Sequence, residues 1–79
     1  MSFQEAVCKR IYELCKKHNY TPNGLAEASN IPPSTLQNIT ECKVKNPSSY
    51  IIFQLCITLN ISIKDFFDSE LFDIKNINF

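Results

Sequence analysis

The sequence has few of the residues that break or loosen secondary structure. Its 79 residues include one glycine, four prolines and no tryptophan. This composition excludes collagen-like repeats and long flexible linkers. Hydrophobic residues make up 44% of the chain. We therefore expect one small domain with a modest core.

Long apolar runs are also missing. No run approaches the ~20 residues that a membrane-spanning helix needs. Near the N-terminus, Glu5, Lys9 and Arg10 interrupt any apolar stretch, which does not fit a secretory signal. We therefore expect a cytoplasmic protein with no membrane partner.

The four cysteines do not have the paired spacing of a metal site. Cys8 and Cys15 lie seven residues apart on one predicted helix face, Cys42 and Cys56 stand alone, and His18 is the single histidine. Structural zinc normally takes four nitrogen or sulfur ligands in paired spacing. We predict no metal and no cofactor, and interpret the cysteines as small apolar residues in a reducing compartment, with Cys8 and Cys15 buried.

Catalytic motifs are equally scarce. The sequence has no nucleophile–histidine–carboxylate set and no glycine-rich phosphate loop. One glycine and one histidine leave little from which to build an active site. We therefore predict that the protein is not an enzyme.

The formal net charge is zero and gives no direct sign of nucleic-acid binding. Residues 1–47 hold six Lys/Arg and four Glu, whereas residues 48–79 hold two Lys and four Asp/Glu. This asymmetry could place a mildly positive face at one end of the molecule, and it is also small enough to arise by chance.

Capping signals and apolar spacing predict an all-α bundle of about five short helices. Helix starts are indicated by capping boxes at Ser2 and Ser62 and by a capping residue before Pro22 and before Pro47. The predicted helices span Phe3–Lys17, Pro22–Ser29, Ser34–Thr40 with Pro33 opening it, Pro47–Leu59 and Ile63–Phe67. The tail, 68–79, fits either a helical turn at Ser69–Phe72 or a strand in "FDIKNINF".

The stretch "GLAEASNIPPSTLQNI" places two of these helices at a tight corner. Ala26 allows a close approach of the two backbones, and Asn30 suits a left-handed conformation in the turn. Four apolar residues would hold the helices together from inside: Leu25, Ile31, Leu36 and Ile39. The outward side chains of the second helix are then short hydroxyls and amides, which can contact bases in the major groove.

At residues 10–67 the chain resembles the phage repressor/Cro helix-turn-helix family, often called XRE. The shared features are the helix order, "LAE" in the first motif helix, "STL" in the second, the "K-x-K-x-P" that enters helix four, and the ending "LNISIKDFF". The resemblance implies a lambda-repressor-like bundle that binds double-stranded operator DNA, usually as a homodimer, with the third helix in the major groove.

The resemblance also implies a set of contact residues. Base contacts would come from the third helix, and phosphate contacts from the start of the second helix and from the loop after the third. The implied base contacts are Pro33, Ser34, Thr35, Gln37 and Asn38, and the implied phosphate contacts are Thr21, Asn23, Lys43 and Lys45. Pro22 and Pro33 depart from the family, because a side-chain donor is usual at both positions.

The sequence is therefore compatible with two functions of different classes. The first is a sequence-specific, repressor-like transcriptional regulator, with residues 1–67 as the DNA-binding domain and 68–79 as a possible dimerisation segment. Ile77 and Phe79 are its candidates for pairing with a second chain. The alternative is a protein-interaction module on the same scaffold, which has lost its DNA contacts and binds a partner through an apolar C-terminal surface.

Two surface interpretations complete the predictions. Four basic residues of the first helix are interpreted as a solvated face: Lys9, Arg10, Lys16 and Lys17. Four aromatic residues are interpreted as core, although some could form an apolar dimer patch: Phe53, Phe66, Phe67 and Phe72.

Overall fold

The computed structural model describes residues 1–78 and is helical throughout. Five α-helices are followed by two short 3₁₀-helices, and no strand occurs between residues 1 and 78. The helices are α1 (Phe3–His18), α2 (Pro22–Ala28), α3 (Pro33–Thr40), α4 (Ser49–Leu59) and α5 (Ile63–Phe67), and the 3₁₀-helices span Glu70–Phe72 and Ile74–Asn76. The predicted all-α bundle of five short helices is therefore confirmed.

Local capping explains most of the helix boundaries. Ser2 accepts a hydrogen bond from the Glu5 backbone N–H while the Glu5 side chain accepts from the Ser2 N–H, and Ser62 and Asp65 repeat this arrangement before α5. Asn19 and Asn60 close α1 and α4 in the left-handed conformation. Since each cap satisfies backbone groups that the helix leaves unpaired, these boundaries are set by nearby residues.

The start of α4 differs from the prediction. The Asn46-Pro47 signal is wrong, because the helix begins at Ser49 with Ser48 as its N-cap. The Ser48 hydroxyl accepts hydrogen bonds from the backbone N–H groups of Tyr50 and Ile51 at 3.2 and 3.4 Å. The Ser48 side chain thus satisfies two of the N–H groups that the start of a helix leaves unpaired.

One continuous core joins all five α-helices. Phe66 of α5 is fully buried at its centre, together with Val7 of α1 and Leu25 of α2. Its remaining members come from α1 to α4 and from the α2–α3 turn: Ile11, Leu14, Cys15, Ala26, Ile31, Leu36, Ile39, Ile52, Leu55, Cys56 and Leu59. Within residues 1–78, no helix is both long enough and apolar enough to cross a membrane.

The tail folds back on α1 as helical turns. The alternative of a helical turn at Ser69–Phe72 is confirmed by the 3₁₀-helix Glu70–Phe72, and the alternative of a strand is wrong for residues 72–78. Its Phe72 ring lies 6.1 Å from that of Phe3, and 4.8 Å from that of Phe67, between ring centroids. The Asn78 backbone N–H donates to the Met1 carbonyl oxygen at 2.7 Å. Phe79, predicted with Ile77 to pair with a second chain, lies outside the described residues.

Three predictions of side-chain environment are wrong. Arg10 is not solvated with its neighbours, since its guanidinium binds the end of α5. Phe53 is 47% exposed, because α4 buries only its opposite face. Cys8 is half-buried at the edge of the core, whereas Cys15 is buried as expected. The environment of each of these side chains is set by the presence or absence of a contact with a distant part of the chain.

Candidate nucleic-acid interface

The corner between α2 and α3 is fixed by its backbone. Asn30 adopts φ 57°, the left-handed conformation predicted for it. The Ile31 N–H then donates to the Ala26 carbonyl oxygen at 2.9 Å, which closes the end of α2. Ala26 is fully buried, as expected for a residue where two helices meet closely. Pro32 and Pro33 then start the next helix at once, so α3 leaves the corner in a defined direction.

The outward face of α3 is polar and open to solvent. Ser34, Gln37 and Asn38 are exposed, as is Pro33 at the first helical position. Thr35 is half-buried, and its backbone N–H donates to Pro32. Leu36 and Ile39 face inward with 1% and 3% exposure. The helix therefore anchors one face in the core and presents hydroxyl and amide groups on the other.

The first turn of α2 lies beside this face. Thr21 caps α2 by accepting the Gly24 N–H at 3.0 Å, and both Thr21 and Asn23 are exposed. A Cβ at Gly24 would lie 3.1 Å from the Thr21 hydroxyl oxygen, so the single glycine gives the cap room. The positive end of a helix dipole and its N–H groups favour an anion at such a position.

A shallow groove of about 230 Å³ runs between the start of α2 and α3. Asn23, Pro33 and Gln37 line it, so the structure brings one predicted phosphate contact next to two predicted base contacts. Pro22 lines it as well and has no N–H to donate. The groove is therefore lined by amide groups from both helices and by apolar proline surface.

Two further groove residues were missed by the sequence predictions. Tyr12 of α1 lines the groove together with residues of α3 and is 49% exposed. The sequence did contain a signal for Tyr12, because this large aromatic residue follows the buried Ile11 on the polar side of an amphipathic helix. Glu41 also lines the groove and places a negative charge at the end of α3.

The loop after α3 separates the two lysines predicted to bind phosphate. The Lys43 backbone N–H donates to the Asn38 carbonyl oxygen at 2.9 Å, and its Nζ lies 3.6 Å from the Glu41 carboxylate. Both side chains of this pair are largely exposed, so their attraction is weak. Lys45 instead lines a different cavity, with Ser2 and Gln4. Lys43 is thus close to α3, and Lys45 lies toward the N-terminus of α1.

Hydrogen bonds that involve Cys8 and Cys42 connect α1 to the end of α3 and to the loop after it. The Cys8 Sγ donates to the Thr40 carbonyl oxygen at 2.8 Å, and Gln4 Nε2 donates to the Cys42 carbonyl oxygen at 3.4 Å. Burial, followed by the adjacent Cys42 thiol, raises the pKa of Cys8 to about 11. At neutral pH Cys8 is therefore a neutral thiol that donates to the end of α3.

An all-α bundle with a tight corner, a buried first motif helix and a polar, exposed second one defines a helix-turn-helix DNA-binding domain. The family model for the Cro/C1-type HTH DNA-binding domain matches residues 10–70. The chain belongs to this family, whose members are DNA-binding regulators. No curated protein and no solved structure gives a significant match to the chain.

Proposed function

We propose that the protein is a sequence-specific, repressor-like transcriptional regulator that inserts α3 into the major groove of operator DNA. The observation that carries this proposal is the outward face of α3, where Ser34, Gln37 and Asn38 are exposed and uncharged. Amide side chains can pair with the two major-groove hydrogen-bonding atoms of adenine, and hydroxyls can contact bases or phosphates. A proline such as Pro33 can add an apolar contact to a thymine methyl group.

Phosphate contacts would orient α3 on the duplex. The exposed Thr21 and Asn23 at the start of α2 support one contact, and Lys43 beside the end of α3 supports another. Lys45, which lies toward α1, would contact the backbone further along. Because these residues supply only two cationic side chains, we expect modest affinity and a shallow dependence on salt.

Selection of bound fragments from a random duplex library, followed by a fluorescence titration of the selected sequence, tests this assignment. Replacing Asn38 by alanine should relax discrimination at one base pair, with a loss of about 1–3 kcal/mol against the selected base. Asn78→Ala is the matched control, because Asn78 is an exposed asparagine outside the helix-turn-helix. If Asn38→Ala keeps the full base preference, the base-reading role of α3 is wrong.

The competing hypothesis is a protein-interaction module on the same scaffold. Glu41 and two prolines that donate no hydrogen bond in the groove favour it, as does the apolar surface on α4. A titration with random duplex DNA at low salt separates the two hypotheses, because nonspecific phosphate binding is strongest there. Saturable binding favours the regulator, and its absence favours the interaction module.

A further inference from the structure

Two of the four cysteines lie together where the loop after α3 meets α1. The Cys8 Sγ donates to the Thr40 carbonyl oxygen at 2.8 Å, and the Cys42 Sγ donates to the Gln4 carbonyl oxygen at 3.9 Å. Each thiol therefore hydrogen-bonds the backbone of the segment that carries the other. The two thiols are also hydrogen-bonding neighbours of each other.

The backbone at Cys42 is unusual for its residue type. Four non-glycine residues between positions 1 and 78 have a positive φ, and three of them are asparagines: Asn19, Asn30 and Asn60. Asparagine tolerates this left-handed conformation better than most residues, whereas cysteine has no such preference. Cys42 nevertheless holds φ 59°. A residue kept in a costly conformation points to a functional constraint, and the neighbouring Cys8 thiol supplies one.

Solvent reaches this pair more readily than the other cysteines. Cys8 and Cys42 are half-buried, whereas Cys15 and Cys56 are buried in the core. Oxidation of a cysteine depends on its exposure as well as on its thiolate character. A dissolved oxidant is therefore expected to react at this pair before it reacts in the core.

We propose that Cys8 and Cys42 form a reversible intramolecular disulfide in the presence of a peroxide oxidant, which fastens the loop after α3 to α1 and weakens DNA binding. The effect on DNA rests on the proposed function above, whereas the disulfide itself does not. In a reducing compartment, such as the one predicted from the sequence, the dithiol is the resting form. The disulfide would then form only while oxidant is present.

The reaction balances with hydrogen peroxide as the oxidant. The Cys42 thiolate attacks one peroxide oxygen and breaks the O–O bond. This step leaves a sulfenic acid at Cys42, and the departing hydroxide takes up the proton that Cys42 released, which gives one water. The Cys8 sulfur then attacks the Cys42 sulfur, and its proton leaves with the sulfenic hydroxyl as a second water. The two sulfurs lose two electrons, which the peroxide gains.

The order of the two steps follows from the environment of Cys8. Burial, followed by the Cys42 thiol, raises the pKa of Cys8 to about 11. Little Cys8 thiolate is therefore present at neutral pH, and the thiolate is the form that attacks peroxide. Cys8 is thus assigned the second step, in which it resolves the sulfenic acid of Cys42.

The disulfide would change the contacts that hold the end of α3. An S–S bond of ~2.05 Å is much shorter than a hydrogen bond between two thiols, so the loop and α1 must approach each other. Thr40 is the last residue of α3, and its carbonyl oxygen loses the Cys8 donor. Lys43 follows Cys42 directly and donates its backbone N–H to the Asn38 carbonyl oxygen at 2.9 Å. Movement at Cys42 therefore shifts the proposed phosphate contact relative to the exposed face of α3.

Treatment of the reduced chain with hydrogen peroxide tests the disulfide directly. The intact mass should fall by about 2 Da, the mass of the two hydrogens lost, and two of the four free thiols should disappear. Peptide mapping should recover Cys8 and Cys42 in one cross-linked fragment, and dithiothreitol should restore all four thiols. A gain of oxygen mass without a cross-link, a link between two chains, or a disulfide that involves Cys15 or Cys56 would overturn the proposal.

Matched variants check the assignment of the two cysteines. Cys8→Ala should form no internal disulfide, whereas Cys15→Ala, on the same helix, should form it as the wild type does. Cys42→Asn also removes the disulfide, and it places at φ 59° the residue type found at the other left-handed positions, so the fold should be retained. Circular dichroism should show wild-type helix content for all three variants. An internal disulfide in Cys8→Ala or in Cys42→Asn would contradict the proposed pair.

A titration with duplex DNA in both redox states separates this inference from the proposed function. The oxidised wild type should bind the selected duplex roughly tenfold more weakly than the reduced form at about 0.1 M salt, as expected for one lost phosphate contact. Cys42→Asn should bind alike before and after peroxide. If the disulfide forms but neither state binds DNA, the proposed function fails and the disulfide stands. If DNA is bound but no disulfide forms, or if both redox states bind equally, the inference fails and the DNA-binding function stands.

Discussion

Arg10 of α1 holds the end of α5 through the Phe66 carbonyl oxygen, to which its Nε donates at 2.6 Å. Its Nη2 donates to the Asp65 carbonyl oxygen at 2.7 Å. The side chain is only 17% exposed. A cation at the C-terminal carbonyls of a helix complements both the unpaired oxygens and the dipole. Because Phe66 is fully buried, this contact fixes the helix that completes the core.

Removing this guanidinium should destabilise the whole domain. Arg10→Ala loses two charge-assisted hydrogen bonds and is expected to lower the free energy of unfolding by about 1–3 kcal/mol. Urea denaturation followed by circular dichroism measures the change. Lys9→Ala is the control, because Lys9 is exposed on the same helix and should cost little. Equal stabilities for the two variants would contradict the proposed role of Arg10.

The left-handed turn at Asn30 leads to a prediction about backbone strain. Asn30→Ala should destabilise the domain by about 1 kcal/mol, since alanine pays a steric penalty at positive φ. Asn30→Gly should be close to neutral, because glycine adopts this conformation readily. Thermal unfolding ranks the variants. Asn46→Ala, at an exposed position without positive φ, should leave the melting temperature unchanged.

The two capping boxes predict a loss of stability in acid. Hydrogen bonds from Ser2 lower the pKa of Glu5, and those from Ser62 lower the pKa of Asp65. A carboxyl group whose pKa is lower in the folded protein than in the unfolded chain stabilises the fold at any pH above its unfolded-state pKa. This contribution disappears as the pH falls through its folded-state pKa. The urea midpoint should therefore fall as the pH drops below about 4, the ordinary range of Asp and Glu carboxyl groups.

Variants of the two capping-box carboxylates test whether these groups cause the loss of stability in acid. Glu5→Gln with Asp65→Asn should flatten this acid limb of the stability profile. Glu27→Gln, which removes an exposed carboxylate outside both capping boxes, should retain the wild-type slope. An unchanged slope in the double variant would assign the acid sensitivity to other groups.

A matched pair of lysines tests the phosphate contact of the proposed function. Lys43→Ala should weaken binding to every DNA sequence alike and reduce the slope of log affinity against log salt by about one. Lys75 is similarly exposed and pairs with a neighbouring carboxylate, Asp73, at 3.9 Å, but lies in the tail. Lys75→Ala should therefore bind like the wild type. Matching salt slopes for the two variants would remove Lys43 from the interface.

The fold was predictable wherever neighbouring residues decide the structure. Capping boxes at Ser2 and Ser62 and the left-handed Asn30 are local signals, and all three are confirmed. Arg10 could not be placed, because its partner carbonyls lie 55 and 56 residues away. Phe53 was misplaced because α4 is apolar on nearly all sides, so its pattern does not indicate which side is buried.

The candidate site was predictable only in part. The spacing of Leu36 and Ile39 correctly indicates the inward side of α3, and therefore its outward side. The groove needs tertiary structure, since Tyr12 comes from a different helix and Glu41 follows α3. The different positions of Lys43 and Lys45 depend on how the loop folds against α1, which its short polar sequence does not encode.

The Ser29 and Thr58 hydroxyl oxygens lie 2.6 Å apart, which ties α4 to the end of α2. Only Asn30, Ile31 and Pro32 separate this contact from the start of α3. The direction of α3 is therefore set by the protein's own core. A binding element that is preorganised in this way loses little conformational entropy when it meets its partner.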